Sequence, residues 1–316
     1  GRGGSRSRHA IGTGRQAMSG KRIGAEAVAV KGRLRANKWL LLRRISQFGI
    51  LALFLLGPLA GIWIVKGNLA SSLTLDVLPL TDPLVLLQVI ASGHLPESAA
   101  FIGASIVLVF YLLVGGRVYC SWVCPINIVT DLAEWLRRRL KIKNSANFSS
   151  RTRYWLLGGI LLVAAISGSV AWELVNPVSM VYRGLVFGMG LAWGVVAAVF
   201  LLDLFVGRRA WCGRLCPVGA FYGLLGEGAL LRVSAARREQ CDDCMDCFAI
   251  CPEHQVIRPA LKGADKGVGP LITSGNCTNC GRCIDVCARD VFEFTTRFPN
   301  SRQVVSGVNQ QREVSS

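Results

Sequence analysis

Histidine is almost absent from this chain. Its 316 residues include three, His9, His94 and His254, and none lies inside a long apolar run. A haem held in a membrane by histidine axial ligands therefore has nothing to hold it. C-x-x-C-H is missing too, which excludes a c-type haem. Acidic residues are the second shortage: 19 Asp+Glu stand against 36 Lys+Arg, a formal net charge of +17. A soluble nucleic-acid binder would account for that charge, but not for a mean hydropathy of +0.42 with 52% hydrophobic residues. The apolar content equally excludes a disordered basic chain. A membrane protein with its basic residues sorted to one side accounts for both.

Four strongly apolar stretches carry no Asp, Glu, Lys or Arg: 45–65, 98–116, 154–172 and 184–202. A bilayer core about 30 Å thick takes about 20 apolar helical residues, and backbone groups inside it must be paired internally. The expectation is a polytopic α-helical membrane protein with four transmembrane helices in two hairpins. As core helices of a soluble protein, these stretches would leave little polar surface to cover them. Of the 36 basic residues, 34 lie in 1–44, 117–153 and 203–316; only Lys66 and Arg183 lie in the other two connections. The rich side reads as cytoplasmic, with both termini there, and the charge calls for no nucleic acid.

Arg43 and Arg44 precede an apolar run, as in a twin-arginine signal. The run is long for one and no small-residue cleavage site follows, so a retained first helix is expected. The Gly-, Ser- and Arg-rich stretch 1–37 and the end, 298–316, read as flexible tails. Between them lie a membrane domain, 38–233, and a C-terminal domain, 234–297.

Cysteine is the residue in excess, with twelve. Four fall in an internal repeat. Arg117, Tyr119, Cys120, Cys124 and Pro125 follow the second apolar stretch; Arg209, Trp211, Cys212, Cys216 and Pro217 follow the fourth. Each copy reads basic–x–aromatic–C–x3–C–P. Cysteines at i and i+4 share a helix face, so each pair suits a metal or a disulfide, and the two hairpins together could present four thiolates to one metal or cluster. Buried small residues at a helix start are the plainer alternative. Two matched copies at one membrane boundary favour a redox or ligand role, and a reducing cytoplasm disfavours stable disulfides. After the first pair, 131–143 is an amphipathic basic stretch suited to an anionic membrane surface.

The other eight cysteines form the bacterial ferredoxin run, written twice: Cys241, Cys244, Cys247, Cys251 with Pro252, then Cys277, Cys280, Cys283, Cys287 with Ala288 in place of proline. Three closely spaced thiolates wrap one cluster and the fourth reaches the other. Cys241, Cys244, Cys247 and Cys287 are thus expected to hold one 4Fe–4S cluster, and Cys277, Cys280, Cys283 and Cys251 a second, in a small α+β ferredoxin-like module. Zinc sites use separated pairs rather than runs of four. The strands are expected around 256–257 and 291–294. Asp242, Asp243 and Asp246 sit inside the first motif, where the second has Thr278, Asn279 and Arg282; the first cluster should have the lower potential.

Four apolar stretches, two C-x3-C-P motifs and a two-cluster module together resemble NapH, the membrane-bound quinol dehydrogenase, or ferredoxin-type, subunit of the periplasmic nitrate reductase system. Loop segments at 37–44, 79–84, 92–96 and 172–179, and the ending 290–297, resemble it as well, so the likeness spans about 37–298. It implies a protein of the bacterial inner membrane that takes electrons from quinol. With a periplasmic iron–sulfur partner subunit and a membrane tetrahaem cytochrome, it passes them toward periplasmic nitrate reductase. It implies cluster ligation by the eight ferredoxin cysteines and functional importance for Cys120, Cys124, Cys212 and Cys216, as redox residues or ligands of an additional centre. His94, Glu97 and Asp82, in the connection opposite the clusters, are candidates to accept quinol protons. The rival reading is a redox maturation or repair factor for a periplasmic metalloenzyme; a scaffold that recruits partner subunits is the third.

Overall fold

The computed structural model describes residues 22–142 and 149–298. Expectations for 1–21, for Lys143 and for 299–316 lie outside the described residues.

The repeat is longer than the cysteine motifs. In each copy an apolar helix is followed by a connection, a short helix, a second apolar helix, a π-helical turn and a further helix. The first copy runs α2 (Lys38–Ala60), α3 (Pro83–Ala91), α4 (Ser98–Val114) and α5 (Ile126–Arg139), after α1 (Ala25–Arg35). The second runs α6 (Thr152–Ser167), α7 (Pro177–Phe187), α8 (Gly190–Leu201) and α9 (Pro217–Glu227). Both short helices start alike. Asp82 caps α3 by accepting from the Leu84 N–H, Asn176 caps α7 by accepting from the Val178 N–H, and each is followed by proline at the first helical position. Proline there sacrifices only an N–H that has no partner inside the helix.

In the first copy the connection 65–81 is an antiparallel sheet of β1 (Val65–Gly67), β2 (Ser71–Thr74) and β3 (Leu78–Thr81), with Leu73 opposite both Lys66 and Pro79. It packs on α4, and α3 packs on α6. The segment 66–97, expected as an external loop, is therefore folded back into the helices.

Among the described residues one helix, Lys38–Ala60, is long and apolar enough to cross a membrane by itself. Ser98–Val114, Thr152–Ser167 and Gly190–Val206 are apolar but shorter. The apolar stretches overestimated them because glycines interrupt: Gly168 (φ 61°) ends α6, and Gly188 (φ 63°) separates α7 from α8 inside the stretch 184–202. A left-handed residue at this position closes a helix at no Cβ cost.

The C-terminal module pairs β4 (Leu231–Ser234) with β5 (Glu293–Thr296), Val233 opposite Phe294, around α10 (Asp246–Ile250), α11 (Ile257–Lys262) and α12 (Arg282–Val286). Its core is Val233, Ile257, Ile272, Val291 and Phe292. One strand expectation fails and the other is shifted, since β5 begins at Glu293 rather than at Val291. Ile257 opens α11 and Val256 ends a 3-10 turn, so 256–257 is helical. The domain boundary expected at 234 falls inside β4, which pairs with β5 of this module.

The module is tied to the rest through α1 and α2. Asp285 of α12, buried, accepts hydrogen bonds from the Trp39 and Leu40 N–H groups (3.1 and 3.0 Å), capping α2 from outside its own sequence. A carboxylate there satisfies orphan donors and complements the helix dipole. The Trp39 ring packs edge-on against Phe294, centroids 4.7 Å apart. The expectation of a flexible tail fails over 22–37: α1 packs on α12, Ala27 is fully buried, and the Gly24 N–H donates to Asp246 (2.8 Å).

A row of three four-cysteine cavities

Cys241, Cys244, Cys247 and Cys287 line one cavity together with Phe248, Leu261 and Phe292. Cys251, Cys277, Cys280 and Cys283 line a second. The crossing follows from two short helices. Cys247 rides on α10 and Cys251 ends it; Cys283 rides on α12 and Cys287 ends it. Both motifs repeat one backbone pattern: Asp243 and Met245 have positive φ in the first, Asn279 and Gly281 in the second. Such turns aim successive N–H groups at an anion. Gly281 is required there for a further reason, because a Cβ would lie 2.5 Å from the Trp39 ring. Without a following proline, Cys287 (ψ 113°) still leaves its helix extended, much as Cys251 does (ψ 130°).

Cys120, Cys124, Cys212 and Cys216 line a third cavity, between the two copies of the repeat. Here the shared helix face expected from i, i+4 spacing is replaced by other geometry. Tyr119–Val123 and Trp211–Leu215 are π-helical turns, closed by the Cys124 N–H to Tyr119 O (3.0 Å) and the Cys216 N–H to Trp211 O (2.8 Å). Proline forces the residue before it out of helical conformation, so Cys124 and Cys216 are extended (ψ 119° and 114°). Their sulfurs sit at helix N-termini: Ile126 and Asn127 N–H groups hydrogen-bond Cys124, and Val218 and Gly219 N–H groups hydrogen-bond Cys216. Burial outweighs these bonds, pushing Cys124 up and Cys216 up to about 12. The capped start of α7, Asn176 to Val178, reaches the same cavity.

Two arginines hold the copies together. The Arg117 guanidinium donates to Cys212 O in the other copy (3.0 Å); Arg209 pairs with Asp131 and Glu134 on α5 of the first. The acidic residues of 131–143 thus point into the protein, and the stretch is not a simple surface helix. Arg117 also joins the two helical repeats to the ferredoxin module. It donates to Glu253 Oε1 (2.8 Å) and Asn276 O (3.1 Å), and Arg153 donates to the same Oε1 (3.4 Å) and to Gly213 O (3.3 Å). Arg117, Arg153 and Glu253 are all buried. Ser121 and Trp122 add bonds to Thr278 O (2.7 Å) and Asn279 O (3.1 Å). A cavity of about 240 Å³ lined by Cys120, Cys212 and Cys280 separates the third cysteine set from the second. The third set thus faces the second across this cavity, and the second is joined to the first by the crossed cysteines Cys251 and Cys287.

The remaining sequence-predicted residues do not come together. Asp82 begins α3, while His94 and Glu97 are exposed beyond its far end, roughly 14 Å away at 1.5 Å per residue. Asp82 instead meets Tyr222 of α9, whose hydroxyl donates to Asp82 Oδ1 (3.2 Å). Glu253, Arg153 and Asn276 were missed; Glu253 and Asn276 stand beside ferredoxin cysteines and Arg153 lies in the first turn of α6, and none belongs to a recurrent spacing. Arg117 had a signal, since both copies place arginine three residues before the first cysteine.

The comparisons with known proteins agree with this layout. Residues 99–143 and 186–234, the two repeats, match the family model of a 4Fe-4S binding domain, and 240–297 match a 4Fe-4S dicluster domain. The methylamine utilization ferredoxin-type protein MauN of Methylorubrum extorquens is 57% identical over 273 residues, 86% of this chain and 94% of that protein. The ferredoxin-type protein NapH of Escherichia coli is 50% identical over 275 residues, 87% of this chain and 95% of that protein. The chain belongs to the NapH and MauN family of ferredoxin-type proteins. The regulatory protein NosR of Stutzerimonas stutzeri is a partial relative, 30% identical over 47% of this chain and 21% of its own length. No solved structure matches.

The NapH/MauN-type chain has unlike charges around its two ferredoxin cavities. Asp242 and Asp243 flank the first, paired with Arg289 and Lys262 at the surface; Arg282 and Arg117 lie near the second. Asp→Asn at 242, 243 and 246 should raise the potential of the first cluster alone. Redox titration followed by EPR checks this; a pair of potentials unchanged by the substitutions contradicts it.

Proposed function

We propose that this chain is a quinol-linked electron-transfer subunit of the bacterial inner membrane, with its ferredoxin module in the cytoplasm. The observation that carries it is the row of three four-cysteine cavities, which starts among apolar helices and ends in a dicluster module. In this reading Cys241, Cys244, Cys247 and Cys287 hold one 4Fe–4S cluster and Cys251, Cys277, Cys280 and Cys283 another. Cys120, Cys124, Cys212 and Cys216 hold an additional centre. The third set fits a cluster on three counts: four thiols, N–H groups directed at two of the sulfurs, and helix N-termini whose dipoles favour an anionic group. Its volume, about 20 Å³, matches the about 20 Å³ of each of the other two. Each cluster supplies one-electron storage.

The membrane placement rests on charge and exposure. Helix α2 crosses, and the shorter apolar helices Ser98–Val114, Thr152–Ser167 and Gly190–Val206 cross with α3 and α7 packed between them, as half-helices are in other membrane proteins. Trp155, Leu162, Ile166, Phe101, Phe110 and Leu191 are exposed on this part, a patch suited to lipid. The partners implied by the NapH likeness are a periplasmic iron–sulfur subunit and a membrane tetrahaem cytochrome leading to periplasmic nitrate reductase. The higher identity to MauN favours a second reading of the system served, methylamine utilization instead of nitrate reduction.

Deleting the gene tests the electron-transfer role. The expected result is a fully loaded periplasmic enzyme that receives less electron flux. An unmatured enzyme lacking its cofactors would support the maturation-factor alternative instead. Growth on nitrate and on methylamine, compared in the same strain, separates the two systems.

A further inference from the structure

The row of cysteine cavities begins beside a cavity of another kind. It has a volume of about 330 Å³ and lies between α2, the small sheet, α4 and α9. That volume falls at the lower end for small-molecule sites, which are mostly apolar with a few convergent polar groups. This one follows that pattern. Phe54, Val107 and further aliphatic side chains make its walls, and Asp82, Tyr111, Tyr119 and Tyr222 supply the polar groups. Leu53 lines the cavity and is also 39% exposed on the flank of α2, so an apolar tail has a way out toward lipid.

The repeat isolates what Asp82 does. Its counterpart Asn176 caps α7 through the Val178 N–H at 3.1 Å, as Asp82 caps α3 through the Leu84 N–H at 2.9 Å. Capping is served equally by either residue and does not call for a carboxylate. Both hydrogen bonds to Asp82 fall on Oδ1; Oδ2 has no hydrogen-bond partner among the described residues. Tyr119 lines both this cavity and the third cysteine cavity, so a ring bound here is separated from the cysteines by one aromatic side chain.

We propose that this cavity binds the quinol ring, with Asp82 Oδ2 accepting the hydrogen bond of one ring hydroxyl and the isoprenoid tail leaving past Leu53. The assignment rests on the quinol-linked reading above and adds its site. It places quinol recognition on Asp82 and leaves His94 and Glu97 outside it.

Titration of the cluster-loaded full chain in detergent with decylubiquinol, under anaerobic conditions by calorimetry, tests the site. Asp82→Asn keeps the cap and should weaken binding at least about tenfold, the worth of a charge-assisted bond. Val107→Trp, which fills the cavity, should abolish binding; Leu53→Trp at the mouth serves the same purpose if the former does not fold. His94→Gln and Glu97→Gln should bind as the unsubstituted chain does. Unchanged binding in Asp82→Asn and in a folded cavity-filling variant overturns the site while leaving the quinol reading intact. A chain that binds no decylubiquinol before any substitution overturns both.

Discussion

Glu253→Gln should uncouple the ferredoxin module from the two helical repeats. The Glu253 carboxylate is shared by Arg117 and Arg153, and all three groups are buried. An amide keeps an acceptor but leaves two desolvated guanidinium groups without a counter-charge. Breaking a buried pair by removing one partner costs about 3–5 kcal/mol, a large share of a domain's stability. The loss should concentrate where these arginines reach, at Asn276 beside Cys277 and at the carbonyls of Cys212 and Gly213. Thermal unfolding should move down sharply, and the second ferredoxin cluster should be lost before the first. Purified Glu253→Gln protein with an unchanged melting temperature and full iron content would show that the clamp contributes nothing to docking.

Cys120→Ser and Cys216→Ser should each remove the additional centre and stop electrons from reaching the ferredoxin module. These residues come from opposite copies of the repeat and line one cavity, so a change in either copy should have the same result. Three 4Fe–4S clusters amount to about 12 iron atoms per chain, and each variant should retain about 8. The ferredoxin cysteines lie across the 240 Å³ cavity, and their EPR signals should persist after chemical reduction. Iron and acid-labile sulfide counts check this. A parent chain that already holds only about 8 iron atoms would confine the clusters to the ferredoxin module.

The parts of this molecule that were legible in its sequence are those where chemistry fixes spacing. Ferredoxin ligands must wrap a cluster, so the two C-x2-C-x2-C-x3-C runs declared which cysteines would face which cavity. The C-x3-C-P pairs declared the repeat, but not how the four cysteines would be arranged. Their geometry depends on a pre-proline residue leaving the helix at Cys124 and Cys216. It also depends on Arg117 and Arg209 each reaching into the other copy. Long-range contacts of this kind leave no local pattern. The same holds for α1, whose helix is anchored by Asp246 and α12 rather than by its own propensity, and for the cap that Asp285 gives to α2. The segment 66–97 misled for a different reason. Its polar residues looked like a solvated loop, whereas Asp82 caps a helix that turns back toward Tyr222. Comparing the two copies of the repeat at Asp82-Pro83 and Asn176-Pro177 would have shown this from the sequence, since both read as a cap followed by proline.

The most direct test of the account is whether quinol electrons enter this chain. The purified protein, with its partner subunits and full iron content, is mixed anaerobically with decylubiquinol and frozen at intervals for EPR. The account predicts reduced iron–sulfur signals that grow with quinol concentration and fail to grow in Cys120→Ser. Clusters that stay oxidised on every physiological timescale, while dithionite still reduces them, would contradict it.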